Sequence, residues 1–266
     1  AINGLPIRKA GELFGVVNLV FFSPEDLNII KNGPGERRRF LDLELCQLDK
    51  IYLTDIASYN HIVNQRNKLL KDIYVQPSLK DTLEIWDMQM AEYGRRIIHK
   101  RSEFIDELNE TVRQIHHNLT GGLEELEVIY EPSAAADDLE NAIRDSRERD
   151  MRMKLTSVGP HRDDLCVVAN GIDIRRYGSQ GQQRTAALSL KLAEIELVKE
   201  ESRDAPVLLL DDVLSELDRV RQRQLITSFG DIQIFITTTE VTDELRKQLP
   251  DHAIFEVEKG IVKRVD

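Results

Sequence analysis

The sequence predicts an α/β body interrupted by a helical insertion, and three observations carry that expectation. Two short, almost wholly apolar runs, residues 207–210 and 232–236, have the pattern of parallel strands covered on both faces. From Glu36 to Leu119 strand signals vanish, and apolar residues recur at three- and four-residue steps. After Gly121-Gly122, strand-like segments return. The bulk properties agree: 266 residues, 41% hydrophobic and 31% charged, suffice for one large or two modest domains with a buried core. They exclude a disordered tail, a collagen-like fibre and a disulfide miniprotein.

Along the chain, Ala1-Ile2-Asn3-Gly4 lacks an initiator Met and carries a type I′ turn signal, so the chain is expected to enter in mid-hairpin, as a fragment would. Residues 16–22 read as a buried strand, and Ser23-Pro24-Glu25-Asp26 as a capped turn into a helix. Gly33-Pro34-Gly35 breaks the chain. Tyr52, Ile56, Tyr59, Val63, Leu70 and Ile73 then mark one amphipathic helix. Trp86, Met90, Tyr93, Ile97, Phe104, Leu108, Val112, Ile115 and Leu119 mark a second, uninterrupted by proline and roughly 50 Å long at 1.5 Å per residue. These helices are expected to form a lobe packed against itself. Strands are predicted over 126–130, 164–169 and 172–175, the last two joined at Asn170-Gly171. A polar helix over 135–154 and a broadly apolar one over 182–199 follow the same reading. Residues 254–257 and 261–265 read as a closing hairpin around Glu258-Lys259-Gly260.

Net charge narrows the partners. Lys and Arg total 36 against 47 Asp and Glu, a balance of −11, so any DNA contact must be confined to local basic patches. Three clusters qualify: Arg37-Arg38-Arg39; Arg95-Arg96 with His99-Lys100-Arg101; and Arg219, Arg221 and Arg223. Each would equally be a solvated helix face. Arg95, Arg96 and Arg101 rank first because they lie on the long helix. Cys46 and Cys166 form no C-x-x-C pair, which reads as a reducing, cytoplasmic compartment. No apolar run approaches a membrane span, and no charged-then-apolar leader precedes the first turn. The histidines show no zinc-ligand spacing.

The sharpest local signal is Pro206-Val207-Leu208-Leu209-Leu210-Asp211-Asp212, a central strand ending in two carboxylates. Ligands of open α/β sheets bind outside the carboxyl ends of the strands. There one carboxylate can hold Mg²⁺ and the other can orient a water, although acids also simply cap strand ends. Upstream lies Tyr177-Gly178-Ser179-Gln180-Gly181-Gln182-Gln183-Arg184, a serine and a glycine at a helix N-terminus. That is either a phosphate-binding turn or an ordinary helix cap.

Ser179-Gln180-Gly181-Gln182-Gln183-Arg184 resembles the signature motif of ATP-binding-cassette ATPases. Leu208-Leu209-Leu210-Asp211-Asp212 resembles their Walker B, and Ser215-Glu216-Leu217-Asp218 their D-loop. More narrowly, Phe22-Ser23-Pro24-Glu25-Asp26-Leu27, Glu36-Arg37-Arg38-Arg39-Phe40-Leu41-Asp42 and Gly159-Pro160-His161-Arg162-Asp163-Asp164 resemble the RecF family of bacterial recombination mediators. The blocks run in order from Phe22 to Thr237-Thr238-Thr239.

The resemblance implies an α/β, ATP-binding-cassette-type ATPase head with an inserted all-helical lobe and an incomplete N-terminal part. Residues 1–33 and 121–266 would form the ATPase lobe and 34–120 the insertion. It implies ATP and Mg²⁺ as cofactors and an ATP-dependent homodimer that binds single-stranded/double-stranded DNA junctions in recombinational gap repair. The implied partners are RecR and, through it, RecO and RecA loading. By the same resemblance Asp211 matches the Mg²⁺ carboxylate and Asp212 the catalytic one, usually Glu in the wider superfamily, which points to slow hydrolysis. Ser179, Gly181 and Gln182 match residues that meet the γ-phosphate held by the other subunit, and Ser215 and Asp218 are their D-loop neighbours. Thr238 and Thr239 stand where a switch His is common. His161 and Arg162 either neighbour the active site or hold a turn.

No G-x-x-x-x-G-K-[ST] occurs in the sequence, so the phosphate-cradling loop is missing and the chain alone is expected to bind ATP weakly or not at all. Two alternatives stand beside this reading. One is a non-catalytic module that binds protein or DNA without nucleotide. The other is a cassette head with long coiled-coil arms, against which the insertion of about 85 residues without sustained heptads argues.

Overall fold

The computed structural model describes the chain except residues 1–5, 8–12, 14–15, 203–204, 215–216, 218, 229–231, 250–251 and 266. The expected turn at Asn3-Gly4 lies outside the described residues. The first described strand is β1 (Leu19–Phe22), followed by α1 (Asn28–Lys31), α2 (Pro34–Leu48), α3 (Lys50–Val75) and α4 (Leu83–Leu119). Next come β2 (Leu126–Glu131), α5 (Leu139–Met153), β3 (Asp164–Ala169), β4 (Ile172–Asp173), α6 (Ile174–Tyr177) and α7 (Gln180–Ser202). The chain continues through β5 (Val207–Asp211), α8 (Arg219–Ser228), β6 (Ile234–Thr237), α9 (Asp243–Gln248), β7 (Phe255–Glu258) and β8 (Ile261–Arg264).

The described strands form three sheets. β5 lies between β1 and β6 in a parallel sheet, β2-β3-β4 is antiparallel, and β7-β8 is a hairpin. Two elements are shorter than the sequence predicts. Residues 16–17 do not join β1, because both N–H groups turn back to the Leu13 carbonyl, at 3.0 and 3.2 Å. The strand expected over 172–175 stops at Asp173. The carboxylate of Asp173 accepts from the N–H groups of Arg175 (2.9 Å) and Arg176 (3.3 Å) and so starts a helix instead.

The helical segment does not close a core of its own, contrary to the expectation. One continuous apolar cluster joins Phe40, Tyr59, Ile97 and Leu108 to Leu126 of β2, Val167 of β3 and Ala186 and Ala193 of α7. A second cluster packs Leu188, Leu192, Ile195 and Val198 of α7 against Val20, Phe22, Leu208 and Leu210 of the parallel sheet. α7 therefore buries two opposite faces, which explains its nearly all-round apolar composition. No helix among the described residues is long and apolar enough to cross a membrane.

Candidate nucleotide site

β5 runs between two parallel neighbours, so its carboxyl end opens at the edge where such sheets bind ligands. Asp211 pairs in register with Thr237 of β6. The Thr237 hydroxyl donates to Asp211 Oδ1 at 2.5 Å, and the Asp212 N–H donates to the Thr237 carbonyl at 3.2 Å. Asp212 adopts φ 52, a left-handed turn that Asp tolerates better than most residues and that swings the chain off the sheet. Asp211 is exposed and Asp212 half-buried. Thr237 is the member that sequence reasoning passed over in favour of its neighbours. Its signal was its place at the carboxyl end of the adjacent apolar run. The Thr238 hydroxyl donates to the Glu240 carbonyl at 3.0 Å. Ser215 and Asp218 lie outside the described residues.

The second half of the site is the start of α7. Ser179 and Gln182 form a reciprocal capping box: the Gln182 N–H donates to Ser179 Oγ at 3.2 Å, and the Ser179 N–H donates to Gln182 Oε1 at 2.9 Å. The Ser179 hydroxyl accepts in that box and keeps its own proton to give outward. Gln180 and Gly181, both exposed, add helix-end N–H groups that no intrahelical carbonyl takes. A side chain on Gly181 would meet nothing closer than Ser179 Oγ at 3.8 Å. At Gly178, by contrast, a Cβ would sit 2.5 Å from the Ile174 carbonyl oxygen. The turn thus needs glycine at 178 but not at 181.

Only residues 203–206 link α7 to β5, so the helix and strand run in opposite directions, and the start of α7 lies on the side where Asp211 emerges. α7 has 23 residues against five in β5, about 34 Å against about 16 Å, and its first turns project beyond the sheet.

The basic clusters divide. Arg101, expected as a DNA contact, is 1% exposed. Its guanidinium donates to the Asp42 carboxylate (2.8 Å), Asp163 (3.2 Å), the Tyr52 hydroxyl (3.1 Å) and the Pro160 carbonyl (2.8 Å). A cation so enclosed cannot reach a phosphate, and that expectation is corrected. Arg37 is also buried, gripping Asp164 through two bonds of 2.6 and 3.0 Å. Arg95 and Arg96 are exposed. Arg96 lies 3.3 Å from Asp55 and 4.6 Å over the Tyr93 ring, while Arg95 only leans on the Ala136 carbonyl at 3.4 Å.

His161 and Arg162 hold a turn. The Tyr59 hydroxyl lies 2.7 Å from His161 Nδ1, and His161 Nε2 and Arg162 both reach the Thr156 carbonyl. Burial pushes the His161 imidazole down to about 4, and Arg162 and Arg38 add to the shift, so the ring is neutral at pH 7.

Comparison with known proteins bears on the fold. The DNA replication and repair protein RecF of Agathobacter rectalis is 57% identical over 266 residues, spanning 100% of this chain and 74% of that protein. That of Lachnospira eligens is also 57% identical, over 98% of this chain and 73% of its own length. A solved structure of the recombination mediator protein RecF with ATP, described as part of the RecFOR pathway, superposes with a TM-score of 0.91. It is 39% identical and covers 99% of this chain and 72% of that one. The head domain of Smc from Pyrococcus furiosus, 16% identical with a TM-score of 0.51 over 93% of this chain and 61% of that one, shares the fold. The fold is therefore that of an ATP-binding-cassette-type ATPase head with a helical lobe. No protein-family model matches the chain.

Proposed function

Because this chain belongs to the RecF family of DNA replication and repair proteins, we propose that it carries the two complementary halves of an ATP-dependent homodimer that acts on DNA. The observation that carries the reading is the outward-facing capping box at Ser179 and Gln182, with open space around Gly181, on the side of the sheet where Asp211 emerges. Each half would meet the other half of a second subunit across one nucleotide. The naming of a solved relative as RecF with ATP supports that ligand class.

The residues fit ATP and Mg²⁺ in kind. Asp211 offers an exposed hard-oxygen ligand, steadied by Thr237, for the metal. Bound Mg²⁺ would neutralise phosphate charge there. Asp212 would orient the attacking water and take its proton, and its shorter reach than Glu accords with slow hydrolysis. Ser179 would donate its hydroxyl, and Gly181 its N–H, to the γ-phosphate of the partner's nucleotide, with Gln182 bracing both and Ser215 and Asp218 alongside. Since the 266 residues contain no phosphate-cradling loop, this chain alone would hold ATP weakly. In the cell the dimer would bind single-stranded/double-stranded junctions in the cytoplasm and work with RecR, RecO and RecA loading. The RecFOR pathway named for the solved relative supports that setting. Arg95 and Arg96 are the proposed phosphate contacts.

The test uses the full-length gene product. Ser179→Arg should leave each subunit's own ATP binding intact but abolish ATP-driven dimerisation in light scattering. Asp212→Asn should keep ATP binding and trap the dimer, with hydrolysis down a hundred-fold or more, on the order of what general-base help supplies. A Ser179→Arg protein that still dimerises normally would make Ser179 a helix cap and nothing else.

A further inference from the structure

Glu124, between α4 and β2, ties together parts of the chain that sequence order keeps apart. Its Oε1 accepts from Gln182 Nε2 at 2.9 Å, and its Oε2 lies 3.2 Å from His116 Nε2. His116 is fully buried in the last turn of α4. Its other nitrogen, Nδ1, lies 2.8 Å from Ser189 Oγ, which itself sits 2.8 Å from the Thr185 carbonyl within α7. Thr120 fixes the turn by donating to the His116 carbonyl at 2.8 Å and accepting from the Glu124 N–H at 3.3 Å. The same end of α4 reaches α8, where Gln224 Nε2 donates to the Asn118 carbonyl at 3.3 Å. Nothing in the nucleotide chemistry uses Glu124 or His116.

The protons in this chain can be assigned. Glu124 Oε2 accepts, so His116 must carry hydrogen on Nε2. In the neutral ring Nδ1 then accepts from the Ser189 hydroxyl. If the ring is charged, Nδ1 donates and the Ser189 hydroxyl turns to the Thr185 carbonyl. Both states keep the bond to Glu124, so the link survives a change in His116 charge. Burial pushes His116 below its usual range, which favours the neutral form at pH 7.

We propose that Glu124, held in place by His116, is a positioning residue for the signature turn: it fixes the Gln182 side chain, whose other end fixes the Ser179 backbone. The inference rests on the reading of Ser179 and Gln182 as the inter-subunit contact. It makes the last turn of α4 the point through which the helical lobe sets that contact. Without Glu124, the Gln182 amide loses its acceptor and rotates among its rotamers, and the Ser179 N–H loses its bond for part of the time.

Hydrogen exchange on the nucleotide-free, full-length gene product tests this without any appeal to ATP. Glu124→Ala should speed exchange of the Ser179 and Gln182 amides, the two bonded in the capping box, by about five-fold, the worth of one ordinary hydrogen bond. Glu124→Gln should exchange like the native protein, because its amide oxygen still accepts from Gln182 and its NH₂ can serve His116 Nε2 in the other tautomer. ATP-driven dimerisation should weaken by a similar factor in the Ala variant and be kept in the Gln variant. Should the Ala variant fail to fold, Glu124→Asp, too short to span both partners, should show the same faster exchange. Unchanged exchange at the Ser179 and Gln182 amides in either truncated variant overturns the proposal, as does equal exchange in the Gln and Ala variants. If exchange rises as expected while the native protein never dimerises with ATP, the positioning link stands and the dimer reading falls.

Discussion

Residues 159–164 spend their polar groups on the protein itself, whereas residues 178–184 turn several of theirs outward. In the first block Gly159 sits at φ 123, and a Cβ there would lie 2.2 Å from the Tyr59 hydroxyl. Asp163 accepts from Arg101, from the Ser133 N–H and from Tyr130, and Asp164 is gripped by Arg37. In the second block Gly181 faces open space, and the Ser179 hydroxyl keeps a proton to donate. Both blocks look alike in sequence: polar, punctuated by glycine, beside a helix, and both carry family resemblance. The share of polar groups already satisfied inside the chain separates them. A block with its bonding capacity used up maintains the fold, and one with capacity left over faces a ligand.

Four measurements break or sharpen that contrast. Arg101→Ala should cost about 3–5 kcal/mol in urea unfolding, because Asp163 is left buried without its cation. An unchanged midpoint would return Arg101 to the surface and to the DNA-contact reading. His161 comes next. Its pKa falls from 6.5 unfolded to about 4 folded, so its contribution is complete above pH 6.5 and is lost as pH drops toward 4. That loss should reach about 3 kcal/mol, and His161→Gln, which still bridges Tyr59 and Thr156, should remove this part of the pH dependence. If the two proteins lose stability in parallel over that window, the ring is not buried neutral. Gly181→Ala should change stability by less than about 0.5 kcal/mol yet weaken ATP-driven dimerisation of the full-length gene product by about ten-fold or more. Equal dimerisation by the two proteins would place this glycine with the structural ones. The smallest effect belongs to Arg95 and Arg96 replaced together by Ala. Folding should be nearly indifferent, and the salt dependence of duplex binding should flatten by about 0.9 for each phosphate that is no longer neutralised. An unchanged slope makes them a solvated face.

How far the sequence disclosed this molecule depends on the range over which each signal acts. The α4 stripe and the β5 run were legible because periodicity and apolar continuity are local. The Asp211–Asp212 edge and the Ser179 cap were legible for the same reason, each being a residue type at an element end. Arg101 was misread because a cation in a charged helical stretch looks solvated until Asp42, Tyr52 and Asp163 arrive from three other segments. The closed helical lobe was misjudged because the stripe on α4 shows that a face is buried and not what buries it. Here the cover includes α7 and β2. Glu124 carried no local mark, since its partners Gln182 and His116 meet it only in the folded chain.

α4 runs unbroken for 37 residues, about 55 Å of rod whose C-terminal turn is tied to α7 and α8 and whose far end, at Leu83, packs on Leu70 and Ile73 of α3. Such a rod converts angle into distance. A tilt of about 5° at the tied end sweeps the far end through about 5 Å, and a push of that size outside returns as a sub-ångström adjustment where the helices meet. A stiff helix of this length would link a coarse displacement at one end to a fine one at the other.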